Sequence, residues 1–177
     1  MEYDGVKYDG VYETLERFFE VATMQSAGEL KPITGDLILN IGPGKKVITG
    51  TVPLGKPEWD ANIADYIPCG DETVDGIHAY YFLEYVDDPI YMLQEFQRVL
   101  KPGGLVNISE PYYSCQLAYH DISYKNFFCE TTWHYIFENP YYDRCEGEWL
   151  FKVNFNIIIG VVERNLFLLT QLEKREK

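Results

Sequence analysis

A strand, a helix and a second strand follow one another in the middle of the chain, and this order restricts the fold more than any other feature. Val74–Tyr80 is predicted to be a strand. Asp88 and Pro89 are typical of a helix start, and residues 101–104, Lys-Pro-Gly-Gly, of a helix end. Between them, apolar residues recur at helical spacing: Ile90, Leu93, Phe96, Val99 and Leu100. With a further strand over residues 105–109, the pattern predicts a right-handed βαβ crossover between parallel strands.

A short apolar run predicts the first strand of the same sheet. Residues 36–41 are mostly apolar and end in the glycine-rich turn 42–44, as a buried strand does where it stops at a tight turn. Strand-like sequence resumes within residues 47–54, so at most the seven residues 45–51 lie between. A three-turn helix needs about 11 residues. The first helix of an alternating α/β fold is therefore predicted to be absent or vestigial.

The two ends of the chain complete the predicted architecture. Apolar positions at helical spacing near residues 10–25 indicate an amphipathic helix. Residues 110–148 form a long aromatic segment with a short helix predicted around 131–137, and long connections of this kind are usually functional. Alternation over residues 151–159, followed by a turn and a second apolar run at 166–169, predicts an antiparallel hairpin that closes the sheet.

Composition limits the partners that the chain can have. Its formal net charge of -13 and isoelectric point near 4.6 disfavour non-specific binding to nucleic acid. The four cysteines show neither Cys-x-x-Cys pairing nor a histidine at zinc-ligand spacing, which predicts free thiols and no metal. The sequence has no run of about 18 apolar residues and does not begin like a signal peptide. We therefore expect a cytoplasmic protein without a membrane anchor.

Three motifs occur in a fixed order. Residues 40–44 read Asn-Ile-Gly-Pro-Gly, residues 75–84 read Asp-Gly-Ile-His-Ala-Tyr-Tyr-Phe-Leu-Glu, and residues 98–104 read Arg-Val-Leu-Lys-Pro-Gly-Gly. Together they resemble a small class I S-adenosylmethionine-dependent methyltransferase of type 11, with a shortened first βα unit. The resemblance implies an α/β fold with a Rossmann-like, mostly parallel sheet and a C-terminal antiparallel hairpin. It also implies an enzyme that transfers the methyl group of S-adenosylmethionine to an acceptor by in-line displacement.

The resemblance also implies which residues contact the cofactor. Gly42 and Gly44 would let the backbone approach it without an intervening Cβ. In the loop that covers the adenine, Asp60 is the better candidate for the amino group and Asp65 the second. The full expected set is Asn40, Ile41, Gly42, Pro43, Gly44, Leu54, Trp59, Asp60, Asp65, Ile67, His78, Ala79, Tyr80 and Leu83.

The chain departs from the family pattern in its ribose site. Relatives end the second strand with an acidic residue, whereas Gly55 occupies that position here. Either Glu58 or Asp60 reaches in from the following loop, or backbone and water hold the ribose. Without the first helix, Lys45 or Lys46 is a candidate partner for the methionine carboxylate, the alternative being that both are solvent-exposed.

The aromatic segment provides the candidate catalytic residues, which are His120, Asp121 and Tyr112. An imidazole beside a carboxylate is suited to remove a proton near neutral pH, although methyl transfer needs a base only when the nucleophile must lose a proton. Anchoring of the loop is the alternative role for His120 and Asp121. Tyr80 or Tyr81 is expected near the transferred methyl group or in the core.

We expect one methyltransferase-like domain over residues 1–177. Its parts are an N-terminal helix and lead-in (1–35), a cofactor-binding core (36–110), an aromatic substrate lid (111–149) and a C-terminal hairpin and tail (150–177). The methyl acceptor is a small molecule, a protein or a restricted nucleic-acid site, and the sequence does not determine the oligomeric state. The alternative is a non-catalytic module that binds S-adenosylmethionine or a partner through a degenerate cofactor site. A nicotinamide dehydrogenase is disfavoured because Gly-x-Gly-x-x-Gly is missing.

Overall fold

The molecule is built on one six-stranded mixed sheet. The computed structural model describes residues 2–3, 6–7, 31–45, 47–64, 66–138, 149–162 and 165–176. The strands of the main sheet are β3 (Ile38–Ile41), β4 (Val52–Leu54), β5 (Val74–Tyr80), β6 (Leu100–Pro111), β7 (Phe151–Val162) and β8 (Asn165–Lys174). Two further strands, β1 (Glu2–Tyr3) and β2 (Val6–Lys7), pair antiparallel with each other. The helices are α1 (Pro89–Val99) and α2 (Thr132–Glu138), and 3₁₀ turns span Leu83–Tyr85 and Gln116–Tyr119.

The order of the strands confirms the predicted fold class. Across the sheet the order is β4-β3-β5-β6-β8-β7. The first four strands are parallel, whereas β8 runs antiparallel to β6 and β7 antiparallel to β8. The mostly parallel sheet therefore ends in the predicted C-terminal hairpin. The expected N-terminal helix lies outside the described residues, as do residues 163–164 of the expected hairpin turn.

The connection from β3 to β4 contains no helix in residues 42–45 and 47–51, as predicted. The backbone N–H of Gly42 donates to the carbonyl of Leu54 at 2.8 Å, so the two strand ends are tied directly to each other. The prediction that strand structure resumes at residue 47 was wrong, because β4 begins only at Val52. Before it, the chain turns back and the Thr51 hydroxyl donates to the carbonyl of Ile48 at 2.7 Å.

Helix α1 begins at the predicted residue because Asp88 caps it. The Asp88 carboxylate accepts the N–H of Tyr91 at 3.0 Å, and Pro89 occupies the first helical turn, where no backbone donor is needed. Leu100 was expected on the helix face, but it is the first residue of β6. Residues 101–104 form an irregular start of that strand. The buried face of α1 packs on the apolar face of the sheet, which includes Leu39, Ile41, Ile77, Ala79, Val106 and Ile108.

Arg98 and Lys101, both from the third motif, hold loops in place. The Arg98 guanidinium bonds the Glu95 carboxylate at 2.7 Å and the carbonyls of Ile67 and Cys69 at 2.9 Å. The Lys101 ammonium lies 2.6 Å from the Asp75 carboxylate, which also accepts backbone N–H groups at the entrance to β3, and this ion pair lowers the pKa of Asp75. These two basic residues are therefore structural.

Replacing Arg98 tests this assignment. We expect Arg98→Gln to lower the free energy of unfolding by about 2–3 kcal/mol. The substitution removes the positive charge of the half-buried guanidinium and leaves the negative charge of Glu95 without its partner. Arg175→Gln, at an exposed position beyond β8, serves as the control and should change stability by less than about 0.5 kcal/mol. Urea unfolding of the two variants makes the comparison, and equal stabilities would contradict a structural role for Arg98.

Candidate functional site

An open cleft of about 300 Å³ lies where three parallel strands end. Gly42 follows the last residue of β3, Gly55 follows β4 and Tyr81 follows β5. The carboxyl edge of parallel strands is where open α/β sheets bind ligands. The lining residues are Gly42, Gly44, Gly55, Lys56, Trp59, Asp60, Ala61, Asn62, Tyr81, Phe82, Tyr85 and Val86.

The two glycines after β3 have different effects on the cleft. Gly42 has φ +63° and Gly44 has φ +58°, both in the left-handed region that favours glycine. A Cβ on Gly42 would lie 2.6 Å from Cδ2 of Phe82, so this glycine makes room for the Phe82 ring. A Cβ on Gly44 would meet nothing within 4 Å. Gly42 therefore makes room for the Phe82 ring at the floor of the cleft, while the space beside Gly44 is open.

Trp59 forms an apolar wall that is fixed in orientation. Its side chain is buried, and its indole N–H donates to the carbonyl of Tyr66 at 3.1 Å. The ring is nearly parallel to that of Phe82, with the centroids 6.4 Å apart and the planes inclined by 29°. A flat apolar surface held in this way is suited to cover a planar ligand group.

Asp60 brings a negative charge to the cleft. Its carboxylate lies 2.9 Å from the Lys56 ammonium and accepts the N–H of Asn62 at 3.1 Å. The hydrogen bond from Lys56 is the main cause that lowers the pKa of Asp60, so this carboxyl is ionised at neutral pH. The Asn62 amide bonds the Tyr85 carbonyl and the Asp87 N–H, at 3.1 and 2.7 Å. The loop that carries Asp60 is thus tied to the opposite wall.

Tyr81 has an uncommon backbone conformation at the cleft. Its φ is +53°, which costs energy for a residue with a Cβ and is often found at functional sites. The Tyr81 N–H donates to the Ser109 carbonyl at 2.9 Å, and its ring meets that of Phe167 edge to face at 5.4 Å. Tyr80 is buried instead, with its hydroxyl 3.0 Å from His78 Nδ1. Of the two tyrosines, only Tyr81 lines the cleft.

Asp121 reaches the cleft through Tyr85. The Tyr85 hydroxyl donates to the Asp121 carboxylate at 3.2 Å, and Ser123 donates to the same carboxylate through its N–H and hydroxyl. The bonds from Ser123 are the main cause that lowers the pKa of Asp121, so it is anionic. Burial raises the pKa of Tyr85, which keeps that phenol protonated. His120 is exposed and Tyr112 donates to Glu130 at 2.7 Å, and neither lines the cleft.

The structure brings four of the expected cofactor residues together, namely Gly42, Gly44, Trp59 and Asp60. Asp65 and Lys46 lie outside the described residues. Lys45 and Glu58 are not among the lining residues. The other expected residues lie outside the lining, in the strands or in the segments that follow them: Asn40, Ile41, Pro43, Leu54, Ile67, His78, Ala79, Tyr80 and Leu83.

Some lining residues carry no clear signal in the sequence. Phe82 and Val86 are apolar residues next to a strand and a helix, where core packing is the ordinary expectation. Lys56 and Asn62 lie in a polar loop among other polar residues. Spacing offers one clue, because Lys56 and Asp60 are four residues apart and oppositely charged.

Neither a metal site nor a membrane helix is found in the described part of the chain. No group of three or more His, Cys, Asp or Glu residues is placed to hold an ion. No helix combines the length and apolarity that a membrane crossing requires. Cys69, Cys115 and Cys129 are free thiols, as expected.

The sequence and the fold resemble those of known proteins. Residues 51–108, which contain the second and third motifs, match the model of a methyltransferase domain family and so support the resemblance. The chain has the fold of a class I methyltransferase. No curated protein matches the sequence.

Solved structures agree with this methyltransferase fold. A chain from the complex between the Haloferax volcanii Trm112 methyltransferase activator and a candidate methyltransferase is 16% identical, with a TM-score of 0.59 and 95% of each chain covered. A SAM-dependent methyltransferase from Methanosarcina mazei is 15% identical, with a TM-score of 0.53 and coverage of 82% of this chain and 96% of that one. The [4+2]-cyclase SpnF is 11% identical, with a TM-score of 0.59 and coverage of 92% and 82%. The fold alone therefore does not fix the reaction.

Alanine at the two glycines should separate their effects. Gly44→Ala is expected to cost about 1 kcal/mol, the penalty for a Cβ in the left-handed region. Gly42→Ala should cost about 2–4 kcal/mol, because the Phe82 ring must also move. Urea unfolding measures both, and equal costs would show that Phe82 does not depend on the missing Cβ.

Proposed function

We propose that the chain binds S-adenosylmethionine in the cleft and transfers its methyl group to an acceptor by in-line displacement. The observation that supports this most is the meeting of Gly42, Trp59 and Asp60 at the carboxyl edge of the parallel strands. Trp59 and Asp60 also lie within residues 51–108, which match a methyltransferase domain family.

The cleft residues fit the chemistry of this cofactor. The volume of the cleft, about 300 Å³, is in the range of small-molecule sites. The open space at Gly44 admits a ligand close to the backbone, Trp59 offers an apolar wall for the adenine, and Asp60 is a charged acceptor for ribose hydroxyls or the adenine amino group. Of the two carboxylates that could replace the missing ribose acid, Asp60 is favoured over Glu58 because only Asp60 lines the cleft.

Alignment is the main contribution we assign to the protein. When bound, the cofactor supplies an electrophilic methyl group, and the transfer needs a nucleophile held close to it and in line. Tyr81, Phe82 and Tyr85 would exclude water on the acceptor side, and ionised Asp121 would orient the Tyr85 phenol. His120 and Tyr112 stay candidates for contacts with a bound acceptor. A small molecule, a protein or a restricted nucleic-acid site in the cytoplasm remains the expected acceptor.

Binding of S-adenosylmethionine to two carboxyl variants tests the cofactor site. Asp60→Asn should weaken binding about 10- to 100-fold, since a hydrogen bond to a charged group is lost while the amide oxygen still accepts the N–H of Asn62. Glu58→Gln removes a charge from the same loop outside the lining and should leave affinity within about twofold. Isothermal titration calorimetry makes the comparison. Equal effects of the two substitutions would reject Asp60 as a cofactor contact.

Transfer of a labelled methyl group tests the enzymatic part of the proposal. The wild-type chain is incubated with labelled S-adenosylmethionine and panels of small metabolites, proteins and nucleic acids. We expect label in one acceptor class, and transfer should fall in Asp60→Asn but not in Glu58→Gln. Binding without transfer would instead favour a non-catalytic S-adenosylmethionine module, an alternative suggested by Gly55 in the ribose position and by the missing first helix.

A further inference from the structure

Two carboxyl groups are buried behind the cleft wall, and the proposed function does not use them. Glu84, in the 3₁₀ turn Leu83–Tyr85, is 1% exposed, and Glu110, near the end of β6, is 0% exposed. One oxygen of Glu110 accepts the N–H of Leu83 at 3.2 Å. The other three carboxyl oxygens of the two residues have no hydrogen-bond partner. Two unpaired carboxylates cannot both be ionised in such a place without a large cost.

Three titratable groups face this pair, and one of them, the anionic Asp121, also opposes its ionisation. Asp121 approaches from the segment after β6, and the phenols of Tyr85 and Tyr124 lie beside the pair. Burial raises the pKa of Glu84 to about 7, and burial together with the neighbouring Glu84 carboxyl raises the pKa of Glu110 well above the ordinary range. When like charges share a site, the two carboxyls retain a proton between them.

The turn that carries Glu84 also shapes the cleft. Phe82, Tyr85 and Val86, all in or beside this turn, are lining residues. The Glu84 carbonyl accepts the N–H groups of Lys125 and Asn126, at 2.6 and 3.3 Å. The Asn126 side-chain amide donates to the carbonyls of Leu83 and Val86, at 2.9 and 2.7 Å. A displacement of this turn would therefore move the cleft wall and the segment that holds Asp121.

We propose that Glu84 and Glu110 share one proton, and that this protonated pair holds the Leu83–Tyr85 turn against β6. The shared proton supplies a hydrogen bond between the carboxyls. Its loss leaves two negative charges in a dry site, which repel each other and loosen the turn. Glu84 and Glu110 are thus positioning residues, through which the shape of the cleft wall depends on pH.

Infrared spectroscopy of the ligand-free chain observes the proton directly. At pH 6 the wild type should show the carbonyl stretch of a buried protonated carboxyl group, and Glu84→Gln/Glu110→Gln should lack it. The band should disappear as the pH is raised above neutrality. If the wild type has no such band at pH 6, the proposal is wrong, and this holds even if the double variant fails to fold.

The pH dependence of unfolding measures the link to the fold. A carboxyl whose pKa is raised in the folded state stabilises the protein fully below its unfolded pKa, and this stability is lost as the pH rises through the folded pKa. From pH 5 to 7.5 the ratio of the unfolding equilibrium constant of the wild type to that of the double variant should rise at least tenfold. His78 contributes the opposite trend, since burial lowers its pKa to about 4, but it is common to both proteins and cancels. A ratio independent of pH would overturn the proposal.

A local measurement distinguishes positioning of the turn from a general effect on stability. In NMR titrations of the folded wild type, the amide signals of residues 83–86 should shift with a midpoint above the ordinary carboxyl pKa, near 4.3. The same signals should stay constant over that range in the double variant. Unchanged wild-type signals would show that the pair does not act on the cleft wall. None of these measurements uses S-adenosylmethionine, so their outcome is independent of the proposed function.

Discussion

The ring of Phe82 packs against the bare Cα of Gly42, and the site depends on this contact. On its other sides the ring stacks near Trp59 and Phe96, with centroid distances of 6.4 and 6.5 Å. One side chain thereby connects the turn after β3, the loop after β4 and helix α1. Because Phe96 is fully buried in the core, the floor of the cleft is anchored to the sheet. Two independent features therefore favour glycine at position 42, namely its positive φ and the overlap that any Cβ there would have with the ring.

The absence of an acidic residue after β4 changes how a carboxylate for the ribose can be provided. With Gly55 at the end of β4, the negative charge comes from Asp60, further along the loop, and it is paired with Lys56. The Lys56 side chain is 70% exposed, and ion pairs of such groups contribute little net free energy. Ligand hydroxyls can therefore replace Lys56 at a small cost. The pair keeps the carboxylate ionised and oriented until a ligand arrives.

Local signals in the sequence were sufficient to predict the βαβ unit. The Asp88 cap and Pro89 fix the start of α1, and the apolar period identifies its buried face. The start of β4 was predicted too early because Val47 and Ile48 have strand-forming side chains, while the turn that closes on Thr51 depends on contacts that the sequence does not show. Gly42, Gly44, Trp59 and Asp60, which the resemblance named as cofactor contacts, lie together in the cleft, and their contact with the cofactor stays a prediction. Phe82, and the burial of Glu84 beside Glu110, could not be predicted, because both depend on how distant segments pack.

The central claim is that the glycine turn and the Trp59 loop together hold the cofactor. A crystal structure with S-adenosylhomocysteine, the product that remains after methyl transfer, tests it most directly. The account predicts the adenine against Trp59, the ribose or the adenine amino group within hydrogen-bonding distance of the Asp60 carboxylate, and the amino acid moiety beside Gly42 and Gly44. A ligand bound elsewhere, with this cleft unchanged, would contradict the account.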